Sequence, residues 1–307
     1  MDCMAGMDYG FFDGVFVPLD EAAAALDDRS YVLGDGAFEV TRVYGGRCFA
    51  LPEHLKALRY SLRELSIPIT YMDEELTAIH EDLIQKSGIQ DGLIHLQISR
   101  GLGSQSLAVP PKVVPLLSAT IRQLDAPEQA GGALPGIRAI FAEDIRWLRC
   151  DINSLNRLGN VLPREEALRK QAEEAILFRK DTNLITEGTA SNFFIVKDGL
   201  IWTHPADHDI RNGVTRSLLF SHIFPQLQLT VVEKAFAPAF ALTAEEAFVT
   251  STARGIAPVT KIDGHAVGDG SCGPITQKIA AAYGQYVAKR LHDKPQHGEF
   301  PANRGLV

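Results

Sequence analysis

The stretch Glu143-Asp-Ile-Arg-Trp-Leu-Arg-Cys-Asp-Ile-Asn-Ser-Leu-Asn156 lies at mid-chain, and its reading decides the fold. A β-rich half flanks it on either side. Upstream, residues 10–50 alternate apolar and polar positions, and Asp13-Gly14 and Gly45-Gly46 supply turn signals, so antiparallel strands and a hairpin are expected. Leu55, Leu58, Leu62 and Leu65 keep a three-to-four spacing behind Pro52, which predicts a helix over 53–65. A second helix is predicted over 74–86, with Leu76, Ile79 and Leu83 on one face and Gly88 as its stop. Strands follow at 92–100 and 112–122.

Downstream, a strand is expected at 137–142, and the mid-chain stretch should open a helix over 155–172. Pro163 either kinks that helix or marks its true start. Strands at 175–178 and 193–196 precede an Asp198-Gly199 turn; a helix over 214–224, strands at 229–234 and 247–251, and a helix over 275–291 complete the reading. Pro and Gly interrupt both periodicities in Asp125 to Pro135, the expected interdomain linker. The organisation read is an α/β (α+β) chain of two domains, 1–124 and 136–291, followed by a polar tail at 292–307.

With 307 residues, 46% hydrophobic and 22% charged, the chain has ample apolar material for two modest cores. Its formal charge of −8 argues against nucleic acid or an anionic membrane surface as partner, because both need a concentrated basic face. No run approaches the roughly 18 apolar residues of a membrane span, and the start lacks signal-peptide order; a cytoplasmic location is the expectation. Cys3, Cys48, Cys150 and Cys272 have no paired spacing and read as free thiols, Cys150 as a packing residue. No metal site is read: His204 and His208 have the spacing of a helical pair, but Pro205 between them indicates a loop with surface histidines. Gly101-Leu-Gly103 precedes no βαβ unit and is set aside as a dinucleotide loop.

The mid-chain stretch resembles the signature of class IV aminotransferases, the fold-type-IV enzymes that use pyridoxal 5'-phosphate (PLP), and is most similar to that of D-amino-acid transaminases. The resemblance runs from about Tyr31 to Tyr283. It implies a pocket at a domain interface and a homodimer whose partner completes the site. It also implies that Glu187, in Thr186-Glu-Gly-Thr-Ala-Ser-Asn192, pairs with the pyridinium nitrogen. Val214 and Thr215, at a helix start, match the phosphate-binding turn, and Ser251 and Thr252 match a second hydroxyl-bearing phosphate contact.

Five positions depart from the pattern. Where the resemblance places the Schiff-base lysine stands Asn153, whose carboxamide is neither a nucleophilic amine nor a base for the Cα proton. Ala57 occupies the place of the phosphate arginine, a loss of roughly 1.5–3 kcal/mol in charge-assisted hydrogen bonding. Phe38 stands for a tyrosine, and Gln105 and Leu107 stand for the Arg and His that trap a substrate carboxylate. Arg254 could supply an anion-binding fork or be a solvated surface residue, and Glu187 could act as general acid or base if no pyridinium pairs with it. Lys56 and Lys261, the lysines nearest in sequence, match no Schiff-base position. Arg149, Asp151 and Asn153 would share one face if the stretch were extended.

Three readings stay open. The pocket could serve a PLP-independent reaction or bind a small anionic ligand, with no covalently held cofactor and PLP at most noncovalent. The chain could be a D-amino-acid transaminase whose lysine has been substituted. Or it could be a non-catalytic ligand sensor.

Overall fold

The computed structural model describes residues 8–23, 25–124 and 134–293. The first half is a six-stranded antiparallel sheet built from β1 (Tyr9–Phe12), β2 (Val15–Pro18), β3 (Gly36–Tyr44), β4 (Arg47–Cys48), β5 (Gly92–Ser99) and β6 (Leu116–Gln123). Its order is β2-β1-β6-β5-β3-β4. The expected antiparallel strands form, and both turn signals close hairpins, Asp13-Gly14 between β1 and β2 and Gly45-Gly46 between β3 and β4. Between them sits a short helix that periodicity did not indicate, α1 (Arg29–Leu33), capped by the Asp28 carboxylate on the Ser30 N–H at 2.8 Å.

Helices α2 (Leu51–Glu64) and α3 (Asp73–Ser87) cover one face of this sheet. The leucine spacing read from the sequence is the buried stripe: Leu58, Leu62, Leu76 and Leu83 are all but inaccessible, each contributing about 1.5–3 kcal/mol of burial. α3 ends at Gly88, whose φ of 68° lets the chain leave the helix in the left-handed region.

The second half is a nine-stranded mixed sheet. It comprises β7 (Ile137–Glu143), β8 (Glu174–Arg179), β9 (Leu184–Gly188), β10 (Asn192–Lys197), β11 (Leu200–Thr203), β12 (Val231–Glu233), β13 (Glu246–Ser251), β14 (Gly255–Ile262) and β15 (His265–Ala266). The order is β12-β11-β10-β13-β14-β7-β8-β9, with β15 on β14. One face packs on α5 (Val214–Leu218), its continuation through a π turn at Leu219–Ile223 into α6 (Phe224–Gln226), and α8 (Pro274–His292). The π turn replaces the regular helix expected over 214–224, just ahead of Pro225, which has no N–H for the Ser221 carbonyl. The other face buries Phe193, Ile195 and Val249 with Phe236 and Ala241, the latter on α7 (Pro238–Ala241).

The remaining helix, α4 (Leu158–Arg169), begins three residues later than expected and runs through Pro163, so the proline neither starts nor ends it. β9 and β14 were not legible, because their buried residues are interrupted by Thr, Glu, Gly and Pro. Of the expected linker, residues 125–133 lie outside the described residues, as do 294–307 of the tail and Cys3. Among the described residues, no helix is long and apolar enough to cross a membrane.

Candidate active site

The mid-chain stretch is not a strand but a series of turns laid against the first sheet. Two glycines make this possible. A Cβ on Gly36 would come within 2.7 Å of the Ile98 carbonyl and 2.6 Å of Leu155, and one on Gly34 (φ 64°) within 2.5 Å of the Asn156 side chain. The stretch then joins β3 through hydrogen bonds from Phe38 N–H to the Asn153 carbonyl (2.9 Å) and from Leu155 N–H to the Gly36 carbonyl (3.0 Å). Asp35, between the glycines, is held by Arg29 and Arg100, each 2.8 Å away.

Residues 149, 151 and 153 therefore do not share a strand face. Arg149 turns onto Asp151 with two hydrogen bonds of 3.0 and 2.9 Å and onto Glu64 at 2.8 Å. Asn153 instead donates its side-chain N–H to Glu39 Oε2 at 3.2 Å, and its backbone N–H to the Ser61 hydroxyl at 3.1 Å. Burial raises the Asp151 carboxyl, but hydrogen bonds from Arg149, Tyr60 and His208 outweigh it and bring the pKa down to about 2. Because the folded value lies below the unfolded one, the stability gained is complete above about pH 4 and is lost as pH falls towards 2. Asp151→Asn is expected to flatten acid denaturation across that window by about 1 kcal/mol after solvent screening, read from urea melts at pH 5 and pH 2.5.

A cavity of about 750 Å³ opens between the two sheets. Its walls include Phe38, Glu39, Asn153, Glu187, Val214, Thr215, Ser251, Thr252 and Arg254, gathered from segments far apart in sequence. Gln105 and Leu107 are not among them: both are exposed in the loop after β5, Leu107 at 86%. Ala57 lies on α2, packed against the second core with Val214 and Leu218. Lys56 and Lys261 face solvent, and among the described residues no lysine lines the cavity.

At one end, Glu187 is almost inaccessible. Its oxygens accept from Arg146 at 2.5 Å, from Asn192 Nδ2 at 2.9 Å and from the Arg211 N–H at 3.1 Å. Burial pushes its pKa up to about 7, against the pull of Arg146. Arg146 also holds Asp144 at 2.8 Å. The turn that follows Glu187's strand is fixed by Glu174, which accepts from Thr189 N–H and hydroxyl at 3.2 and 2.5 Å and from the Ser191 hydroxyl at 2.9 Å.

Elsewhere the helical run from Val214 presents its N-terminus, and the hydroxyl-bearing Ser251, the last residue of β13, and Thr252 in the turn after it line the same cavity. Thr250 contributes a buried hydroxyl with no partner among the described residues. These groups fit a flat ring with a phosphate ester held by noncovalent contacts; they provide no amine for a covalent one.

Sequence reasoning missed Glu39, Arg146, Arg157 and Arg211. Glu39 carried a signal, being an acid flanked by Phe38 and Val40 within a strand. It is buried with Asn153, Arg211 at 3.1 Å and His54 at 3.0 Å around it, and although burial raises its pKa, His54 and Arg211 hold it below the ordinary value. His204 proves buried, not superficial, with Nδ1–H donating to the Pro205 carbonyl at 2.9 Å, whereas His208 is exposed. Cys150 is buried, its thiol donating to the Trp147 carbonyl at 3.1 Å and pushed up to about 12 by burial.

Residues 36–262 match the family model for amino-transferase class IV. The chain belongs to the class IV aminotransferases. It is 39% identical to the D-alanine aminotransferase of Staphylococcus haemolyticus, over 91% of this chain and 98% of that one. It is 40% identical to the D-alanine aminotransferase of Listeria monocytogenes, over 86% and 90%. Among solved structures, the branched-chain amino acid aminotransferase of Escherichia coli superposes with a TM-score of 0.85 at 26% identity, covering 94% of this chain and 97% of that one. A T.th. branched-chain aminotransferase with pyridoxamine 5'-phosphate superposes at 0.82 and 25%, covering 93% and 95%. PLP is the cofactor of class IV aminotransferases, and the mixed two-sheet fold of this chain is theirs.

Proposed function

We propose that this class IV aminotransferase does not carry out ordinary transamination, and that its cavity binds a small anionic ligand, with PLP held at most noncovalently. The observation that carries this reading is the carboxamide of Asn153, bonded to Glu39 in a cavity that no lysine lines among the described residues. A carboxamide cannot form the covalent link, nor move a proton from a substrate carbon.

The retained groups suit binding. Glu187 would receive a ring nitrogen, and the N–H groups at Val214 and Thr215 with the hydroxyls of Ser251 and Thr252 would receive a phosphate. PLP, when bound, supplies an electron sink. Asn153 offers a hydrogen-bond donor and acceptor in its stead, and Glu39 holds that amide in place. Gln105 and Leu107, lying outside this chain's cavity, suit a homodimer in which a second copy completes the wall. A cytoplasmic setting is part of the same proposal.

A second reading is favoured by the completeness of the Glu187 end, where Arg146 and Asn192 are both in position: a D-amino-acid transaminase altered only at residue 153. One experiment separates wild-type outcomes. Titration with PLP, followed by dialysis and by borohydride reduction with mass analysis, is expected to show reversible binding and no stoichiometric adduct. D-alanine transamination should be at least about a hundredfold below that of the staphylococcal relative assayed alongside, the contribution of a positioned base. An adduct with comparable turnover would overturn the proposal; complete failure to bind PLP would leave a ligand sensor of another kind.

A further inference from the structure

Asn153 is pinned at its backbone. Its N–H donates to the Ser61 hydroxyl at 3.1 Å and its carbonyl accepts from the Phe38 N–H at 2.9 Å, so only the side chain can adjust to a ligand. Glu39 decides how that side chain is turned. Its carboxylate is buried and held by three contacts: His54 Nδ1 at 3.0 Å, the Val40 N–H at 3.3 Å and Arg211 at 3.1 Å. Burial raises its pKa, but His54 and Arg211 hold it below the ordinary value, so at neutral pH Glu39 only accepts hydrogen bonds. The Asn153 amide must therefore turn its nitrogen to Glu39 Oε2, at 3.2 Å, and its oxygen away.

That oxygen accepts no hydrogen bond among the described residues, and Asn153 is half-buried in the cavity wall. Arg211, the cation beside Glu39, already has its terminal nitrogens on Glu39 and on the Asp151 carbonyl at 2.8 Å. Two acceptors, the Asn153 oxygen and the Glu39 carboxylate, thus stand together on the wall.

We propose that Asn153 and Glu39 form an amine-receiving subsite, and that the cavity holds an amine-bearing ligand in preference to its aldehyde counterpart. A primary amine donates N–H to the amide oxygen; an aldehyde brings only acceptor lone pairs, which would face those of Asn153 and Glu39. A lysine at residue 153 would favour the aldehyde through a covalent bond, so this preference is the reverse of the one that the family resemblance implies. The inference rests on the proposed ligand-binding role and adds to it the chemistry of the group received at residue 153.

Three probes with one ring and one phosphate test it by calorimetry on the full chain. Pyridoxamine 5'-phosphate, PLP and 4-deoxypyridoxine 5'-phosphate carry an aminomethyl, an aldehyde and a methyl group at the same ring carbon. The first is expected to bind wild-type protein roughly tenfold more tightly than either of the others, the worth of one hydrogen bond. Asn153→Ala removes the amide and should bring the three within about twofold of one another. Glu39→Gln keeps the amide but gives it a neighbour that donates as well as accepts, so the amide is free to flip and the preference should shrink with residue 153 unchanged. A merely structural role for Glu39 would lower all three affinities alike. A thermal scan checks each variant, and if Glu39→Gln does not fold, Asn153→Ala decides alone. Equal binding of the three by wild type, tighter binding of PLP through the second N–H of the amide, or a preference that survives in Asn153→Ala would overturn the assignment while the cavity's binding role stands. Binding of none of them to wild type would overturn both.

Discussion

Asn153→Lys should gain a covalent phosphopyridoxyl group after incubation with PLP and borohydride, located by peptide mass analysis at residue 153, where the wild type gains none. D-alanine transamination should stay low; a rise of at least about a hundredfold, the lower end of what a positioned base is worth, would instead support the second reading, a transaminase altered only at residue 153. The geometry favours the adduct. The residue's backbone is anchored to Ser61 and Phe38 independently of its side chain, and its amide already borders the 750 Å³ cavity. The principal obstacle is Glu39, 3.2 Å from the present amide, which would draw a lysine into an ion pair and away from the ring. If an adduct forms without turnover, the alterations at Ala57, Gln105 and Leu107 are decisive, and the wild-type function lies elsewhere. If no adduct forms, Asn153→Lys combined with Glu39→Gln determines whether that ion pair is the cause.

The second large effect is on stability. Arg146→Ala removes the guanidinium from between Asp144 and Glu187, whose side chains are 0% and 5% exposed. A buried charge deprived of its partner costs about 3–5 kcal/mol, which in a chain of this size lowers the melting temperature by roughly 6–10 °C. Arg179, 3.5 Å from Asp144, limits the damage on that side, so the Glu187 end should bear most of it. As a control, Arg169→Ala breaks an exposed pair with Glu165 on α4 and should shift melting by about 1 °C or less. Equal shifts in both variants would show that the Asp144–Arg146–Glu187 group is not a keystone of the second half.

The helices of the first half were legible because their partner is a single sheet face, so burial follows a helical period, as in Leu55, Leu58 and Leu62. Hairpins were legible from Asp13-Gly14 and Gly45-Gly46. β9 and β14 were not, since Glu187 and Pro258 sit at buried positions whose polar or cyclic character conceals a strand; the carboxylate is tolerated there only because Arg146 and Asn192 arrive from other segments. The same holds for Arg149, Asp151 and Asn153. Alternation would have placed them on one face had the stretch been extended, but the close approach to β3 that Gly34 and Gly36 allow bends it into turns, sending Asn153 to Glu39 and Asp151 to Arg149.

By itself, then, the sequence determined the family and the asparagine at residue 153, because residue identity and register are one-dimensional properties. Only the tertiary structure decided which charges are already spent. Arg146, Arg164 and Arg211 have internal acids and Arg157 does not, and that distinction arises solely from which carboxylates the two sheets bring within hydrogen-bonding reach.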